Sequence, residues 1–136
     1  MLTAAAACGD GSVPVRVPTE FGAAAVCREL AWPVSLGELV ARKTSPSDPA
    51  IAAWGDPPIT LRCGVTKPSG LTPTARLLRV DGVDWLPEQR SAGYVFTTVG
   101  RQAFIEVAVP SAYAPETGVL TDLAPAITSA VPVVTQ

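Results

Sequence analysis

The stretch YVFTTVGRQAFIEVAVP, residues 94–110, constrains the fold more than any other part of the chain. Apolar residues recur at every second position on both sides of Gly100-Arg101, the spacing of two strands buried on one face. Glycine at the first central position suits a type II′ hairpin turn. Counting outward pairs Thr98 with Ala103, Phe96 with Ile105 and Tyr94 with Val107, and these six share the apolar face. Val95, Thr97, Val99, Gln102, Phe104 and Glu106 take the opposite face. A one-residue slip would bury Glu106 and expose Ile105, so the register is well specified.

A second hairpin precedes it. In ARLLRVDGVDWLPE the two-residue turn is Asp81-Gly82, a strong short-range hairpin signal. Val80 then faces Val83, Leu78 faces Trp85, and Arg79 stands opposite Asp84 on the other side. ITLRCGV, residues 59–65, reads as one more strand, with Ile59, Leu61, Cys63 and Val65 on one face and Thr60 and Arg62 on the other. SLGELVARK reads as a turn followed by a short strand. Two helical patterns flank these elements. One spans roughly 20–31, capped by Thr19, with Ala23, Cys27, Leu30 and Ala31 on one stripe and Trp32-Pro33 ending it. The other spans roughly 116–130, with Leu120, Leu123, Ala124 and Ile127 on one face and Pro125 expected to kink or restart it.

A chain of 136 residues fits one domain with a real core. Charged residues are only 16% and prolines number fourteen, but the apolar runs are periodic, which argues for order with long turns. The expected fold is α+β: a two-layer sandwich with an antiparallel sheet of four to five strands and two main helices on one face. Residues 1–18 are assigned to a flexible N-terminal segment, 19–131 to the globular domain and 132–136 to a loose tail.

The absence of histidine narrows the chemistry. Ser-His-Asp and Cys-His mechanisms and His-containing zinc sites are excluded. A net charge of −2 without a basic run excludes a nucleic-acid surface. No stretch reaches the roughly 18 apolar residues of a membrane helix. There is no Gly-rich phosphate loop, Cys-x-x-Cys pair or Gly-x-Ser-x-Gly elbow, and no metal or cofactor is expected.

Three cysteines need an account. Cys27 lies on the buried stripe of the first helical pattern and Cys63 on the buried face of a strand. The two either bridge across the layer or sit as separate buried thiols. A bridge would close a loop of about 37 residues, worth roughly 3–4 kcal/mol, and would place the protein in an oxidising compartment. Cys8 follows small residues, AAAA, which resemble the end of a bacterial lipoprotein signal. Two lipid chains there would hold a soluble domain on a membrane without a spanning helix. Only seven residues precede Cys8, Ala stands at position −3 where Leu is usual, and no basic or long apolar stretch comes first. The chain therefore either begins inside a longer signal or carries Cys8 as an ordinary tail residue.

AAWGDPPITLRCGV, VDGVDWL, VFTTVGR and IEVAVP, with the upstream Cys27 and the Leu30-to-Pro33 segment, resemble a family of small actinobacterial envelope proteins and lipoproteins. That family is carried only as a domain of unknown function, number 3515. The resemblance covers roughly residues 20–130. It implies an exported or membrane-tethered domain whose family cysteines match Cys27 and Cys63, and it implies no activity, ligand or catalytic residue. It also implies an N-terminal signal or single membrane segment, which this stretch of sequence does not contain in full.

Candidate chemistry is sparse. Asp81, Asp84 and Glu88 cluster in sequence, and glycosidases need two acids. The hairpin register, however, spends Asp81 on the turn and Asp84 on Arg79. Trp54-Gly55-Asp56-Pro57-Pro58 is either a structural corner or a place where Trp54, beside the Asp56 carboxylate, stacks on a sugar or a peptide. Arg62 and Arg101 either bind an anion, or meet a local carboxylate or cover the outer sheet face. If helices cover one side of the sheet, Val95, Phe104, Thr60 and Arg62 lie on the open side, and a partly apolar open face marks a partner site. The binding candidates are thus Trp54, Asp56, Arg62, Arg101 and Phe104, with no catalytic residue assigned.

The expected function is a non-catalytic binding or accessory domain outside the cytoplasm, secreted or lipid-anchored. Its partner would be an envelope protein or cell-wall component. Membrane contact would come only through Cys8 or a missing N-terminal segment. The alternative is a small carboxylate-based hydrolase acting on cell-wall glycan or peptide.

Overall fold

The computed structural model describes residues 11–21 and 24–134. The strands are β1 (Val13–Pro14), β2 (Ser35–Leu36), β3 (Leu39–Arg42), β4 (Thr44–Ser45), β5 (Ile51–Trp54), β6 (Ile59–Val65), β7 (Leu78–Val80), β8 (Val83–Arg90), β9 (Gly93–Val99) and β10 (Phe104–Pro110). The helices are α1 (Ala25–Arg28) and α2 (Leu120–Ala130), the latter entered through a 3-10 turn at Glu116–Val119. Eight strands form one antiparallel sheet in the order β2-β3-β5-β6-β10-β9-β8-β7, while β1 and β4 make a short parallel pair.

Among the described residues the domain is therefore mostly β, an eight-stranded antiparallel sheet with one main helix. This corrects the expected two-layer α+β sandwich of four to five strands and two main helices. The first helical pattern yields only the four residues of α1. Upstream of it the Phe21 N–H donates to the Gly64 carbonyl at 3.0 Å, a tie to β6 from a turn rather than from a helix. Of the expected stripe, Cys27 and Leu30 are buried, Ala31 is exposed, and Ala23 falls outside the described residues. The extra strands come from segments without alternation. In β5, Ile51, Ala53 and Trp54 are all buried, so both faces are covered and the sequence reads as a plain apolar run. The turn before β3 is a hairpin turn, with Gly37 at φ 57° joining β2 to β3.

The Asp81-Gly82 hairpin has the expected register, Val80↔Val83, Arg79↔Asp84 and Leu78↔Trp85. Both central residues have positive φ, 49° and 85°, as a type I′ turn requires. The β9–β10 hairpin has the expected faces but a register shifted by two residues, Phe96↔Val107 and Tyr94↔Val109. The cause lies at its turn. The Thr98 hydroxyl accepts the Ile105 N–H at 2.8 Å, so a side chain ends the ladder. Arg101 leaves to bridge with Val133, and the Gln102 N–H donates to the Pro132 carbonyl. A shift by two preserves parity, which is why Phe96, Ile105 and Val107 are still buried together.

One face of the sheet, the inner face, carries the main core. Trp54, Ile59, Leu61, Cys63, Trp85, Phe96, Ile105 and Val107 pack there with Leu120, Leu123, Ala124 and Ile127 of α2. Pro125 lies within α2, which runs on to Ala130. The Gly37 N–H donates to Asp122 Oδ2 at 2.6 Å, tying the β2–β3 hairpin to this helix.

The opposite, outer face is covered in part. Val13, Val15 and Val17 pack on Ile51 and Ala53, although this segment reads as a linker in the sequence. The Arg62 Nε–H donates to the Arg16 carbonyl at 2.8 Å and fixes the strap further along. The loop at 66–77 lies over β8, so close that a Cβ on Gly70 would stand 2.6 Å from Glu88 Oε2. Leu86 and Thr97 are buried beneath it.

Candidate binding site on the outer sheet face

The strap and the 66–77 loop leave two neighbouring grooves on the outer face. The first, of about 410 Å³, is polar, and its charged lining is Glu20, Arg62, Lys67, Glu88, Arg90 and Glu106. Cross-strand registry builds its floor, since Glu106 pairs with Arg62 on one side and Thr97 on the other. Arg62 Nη1 meets Glu106 Oε1 at 3.0 Å and Arg90 Nη2 meets Glu88 Oε1 at 3.4 Å. Glu88 and Glu106 are two strands and two residues apart, so their backbones stand about 12 Å from each other.

The second groove, of about 450 Å³, is lined by Lys67, Leu71, Val99, Gly100, Arg101, Phe104 and Val134. Val99 and Phe104 project from the ends of β9 and β10, Leu71 and Lys67 come from the loop, and Val134 comes from the segment after α2. Arg101 is held at the rim because its guanidinium donates to the Val131 carbonyl at 2.7 Å and the Gly82 carbonyl at 3.1 Å. It thereby places a cation beside the C-terminal end of α2, where helix carbonyls concentrate negative charge.

The residues singled out in the sequence separate into three groups. Arg101 and Phe104 meet in the second groove, and Arg62 lies in the first, occupied by Glu106 and the strap. Trp54 is fully buried and its indole N–H donates to the Pro33 carbonyl at 2.9 Å, so it offers no face to a ligand. Asp56 lies at the exposed corner beyond it, its side chain 91% accessible and 4.0 Å from Arg42. Cys8 falls outside the described residues. Lys67, Leu71 and Val134 were not singled out, because a loop and a tail carry no periodicity to mark them.

Of the acids near the β7–β8 hairpin, Asp81 sits in the turn, Asp84 is held by Arg79 and Glu88 by Arg90. Arg79 donates to both Asp84 oxygens, at 2.8 and 3.1 Å, and this hydrogen bonding, then the Asp84 charge, raises the guanidinium above its ordinary pKa. Among the described residues no group of three potential metal ligands converges.

Cys27 and Cys63 are joined in a disulfide and both are fully buried. A structural disulfide is consistent with an extracytoplasmic location. Among the described residues no helix is long and apolar enough to cross a membrane. A family model described as "Protein of unknown function (DUF3515)" matches residues 3–135. No curated protein and no solved structure matches the chain.

Proposed function

The chain belongs to the DUF3515 family, and on that premise we propose that it is an exported or membrane-anchored envelope domain that binds or supports a partner without catalysis. The partner is an envelope protein or a cell-wall component. The observation that carries this reading is the second outer-face groove, where Phe104, Val99 and Leu71 stay partly accessible on a face that the strap and the 66–77 loop cover only in part. An ordered domain that leaves apolar side chains at a concave surface has a natural use for them in recognition. The buried disulfide supports export, and Cys8 is the residue through which a lipid anchor would attach.

Intact mass of the protein taken from its host tests the location. Unlabelled Cys27 and Cys63 before reduction, and labelled after it, are expected. Free thiols in the native protein would overturn export, and an unmodified Cys8 would remove the lipid anchor. The recognition half is tested with the ligand inference below.

One observation favours a second reading, a carboxylate-based hydrolase of wall glycan or peptide: Glu20, Glu88 and Glu106 all line the polar groove. The arginines on Glu88 and Glu106 weigh against it, since a proton-donating carboxyl is made by apolar surroundings. Release of sugar or peptide from wall material, abolished by Glu88→Gln or Glu106→Gln, would establish the hydrolase.

A further inference from the structure

We infer that the second groove binds single-chain anionic amphiphiles, molecules with one anionic head and an unbranched alkyl tail. The inference rests on the binding role proposed above and names its ligand. The tail has a surface to lie on, because Leu71, Val99, Phe104 and Val134 all line the groove. Covering such surface gains roughly 25 cal/mol per Å².

The head is set by charge. The chain as a whole carries −2, yet among the described residues this groove is lined by two cations, Lys67 and Arg101, and by no carboxylate. The five ion pairs among the described residues use Arg28, Arg42, Arg62, Arg79 and Arg90; Lys67 and Arg101 take part in none, as is true of Arg16, Lys43 and Arg76. A cationic head would meet repulsion there, whereas an anionic head gains attraction from both.

The number of charges on the head is limited as well. Lys67 stands on the ridge between the two grooves, and the other side holds Glu20, Glu88 and Glu106. A polyanion or an extended anionic surface laid across Lys67 would meet those carboxylates. A small head on a slender tail reaches the two cations and avoids the acids.

The experiment is a titration of the isotopically labelled chain, followed by amide NMR shifts. Dodecanoate is expected to move the Val99, Gly100 and Phe104 signals saturably, and butanoate at equal concentration is not. Lys67→Glu should weaken dodecanoate by about tenfold or more, while signals remote from the groove confirm that the variant is folded. Leu71→Ser should weaken it with the charges intact. Equal affinity for dodecyltrimethylammonium, no saturable shift, or shifts outside the groove would each overturn the inference. Replacing Phe104 by p-benzoylphenylalanine in the host separates this from the broader role. A specific photo-crosslink to an envelope component with no dodecanoate binding removes the amphiphile and keeps the binding domain. Failure of both removes both.

Discussion

Gly93 shows how much a single atom can decide in this sheet. It opens β9 with φ 152°, opposite Pro110. A Cβ built there would lie 2.1 Å from the Val109 carbonyl oxygen and 2.8 Å from the Ser111 nitrogen. Both are backbone atoms, one at the end of the paired strand β10 and one just past it, so no rotamer change relieves the overlap. Gly93→Ala should therefore destabilise the domain by about 3 kcal/mol or more, seen as a lower midpoint in urea. Gly118 provides the internal contrast. Nothing lies within 4 Å of its added Cβ and its φ is not in the left-handed range. Gly118→Ala should raise stability by about 0.5 kcal/mol, mostly by restricting the unfolded chain. If the two variants shift stability equally, crowding at Gly93 is not what selects glycine there.

Among the elements, β8 is the one that outruns its neighbour. It spans Val83–Arg90, but β7 pairs only with Val83 to Trp85. In a two-residue hairpin the residues flanking the turn exchange backbone hydrogen bonds, and alternate residues repeat that orientation. Val83 and Trp85 thus point their polar groups toward β7, and residue 87 points the same way, into the open edge. Proline stands there, so the edge position that would offer an N–H has none. Pro87→Val should restore that donor and let the edge pair with another chain, giving larger particles by light scattering at unchanged disulfide content. A particle size equal to that of the parent would show that the edge is protected by something else.

The β7–β8 and β9–β10 hairpins were also the most legible part of the sequence. Asp-Gly and strict alternation fixed the β7–β8 register to the residue, and the buried faces of β9 and β10 followed from parity, as did that of β6 through Cys63; a bulge then sets Val65 opposite Phe104, on the outer face rather than beside Cys63 as alternation implies. What alternation does not encode is a side chain that ends a ladder. Thr98 does so here, and the β9–β10 register moved by two. Nor does it encode strands buried on both faces, such as β5, or a short helix whose apolar stripe belongs to a longer helical pattern, such as α1. Of the candidate site, Arg101 and Phe104 were legible as outer-face residues. Lys67 and Leu71 were not, since only tertiary packing brings their loop across the sheet.

At the scale of the whole molecule, the N-terminal segment divides between the two sides of the sheet. Val13 to Val17 lie on the outer face, Phe21 bonds to Gly64 at the end of β6, and Cys27 reaches Cys63 on the inner face. Neither part forms a long regular element. The strap is held by a two-residue parallel pair and the Arg62 contact, and α1 has four residues. A helix that short has almost no stability of its own, so a covalent tie across a separation of 36 residues does what packing area cannot. Replacing both Cys27 and Cys63 with alanine should cost roughly 3–4 kcal/mol through the freed unfolded chain, or roughly 10–15 °C in Tm for a domain of this size. Because the strap and α1 are consecutive, the loss should extend beyond the bridge. Hydrogen exchange is expected to rise at Val13 and Val15, on the face opposite the disulfide. A strap still protected in the double variant would mean that Arg62 and the β1–β4 pair hold it alone, and the disulfide would then be a local staple for α1.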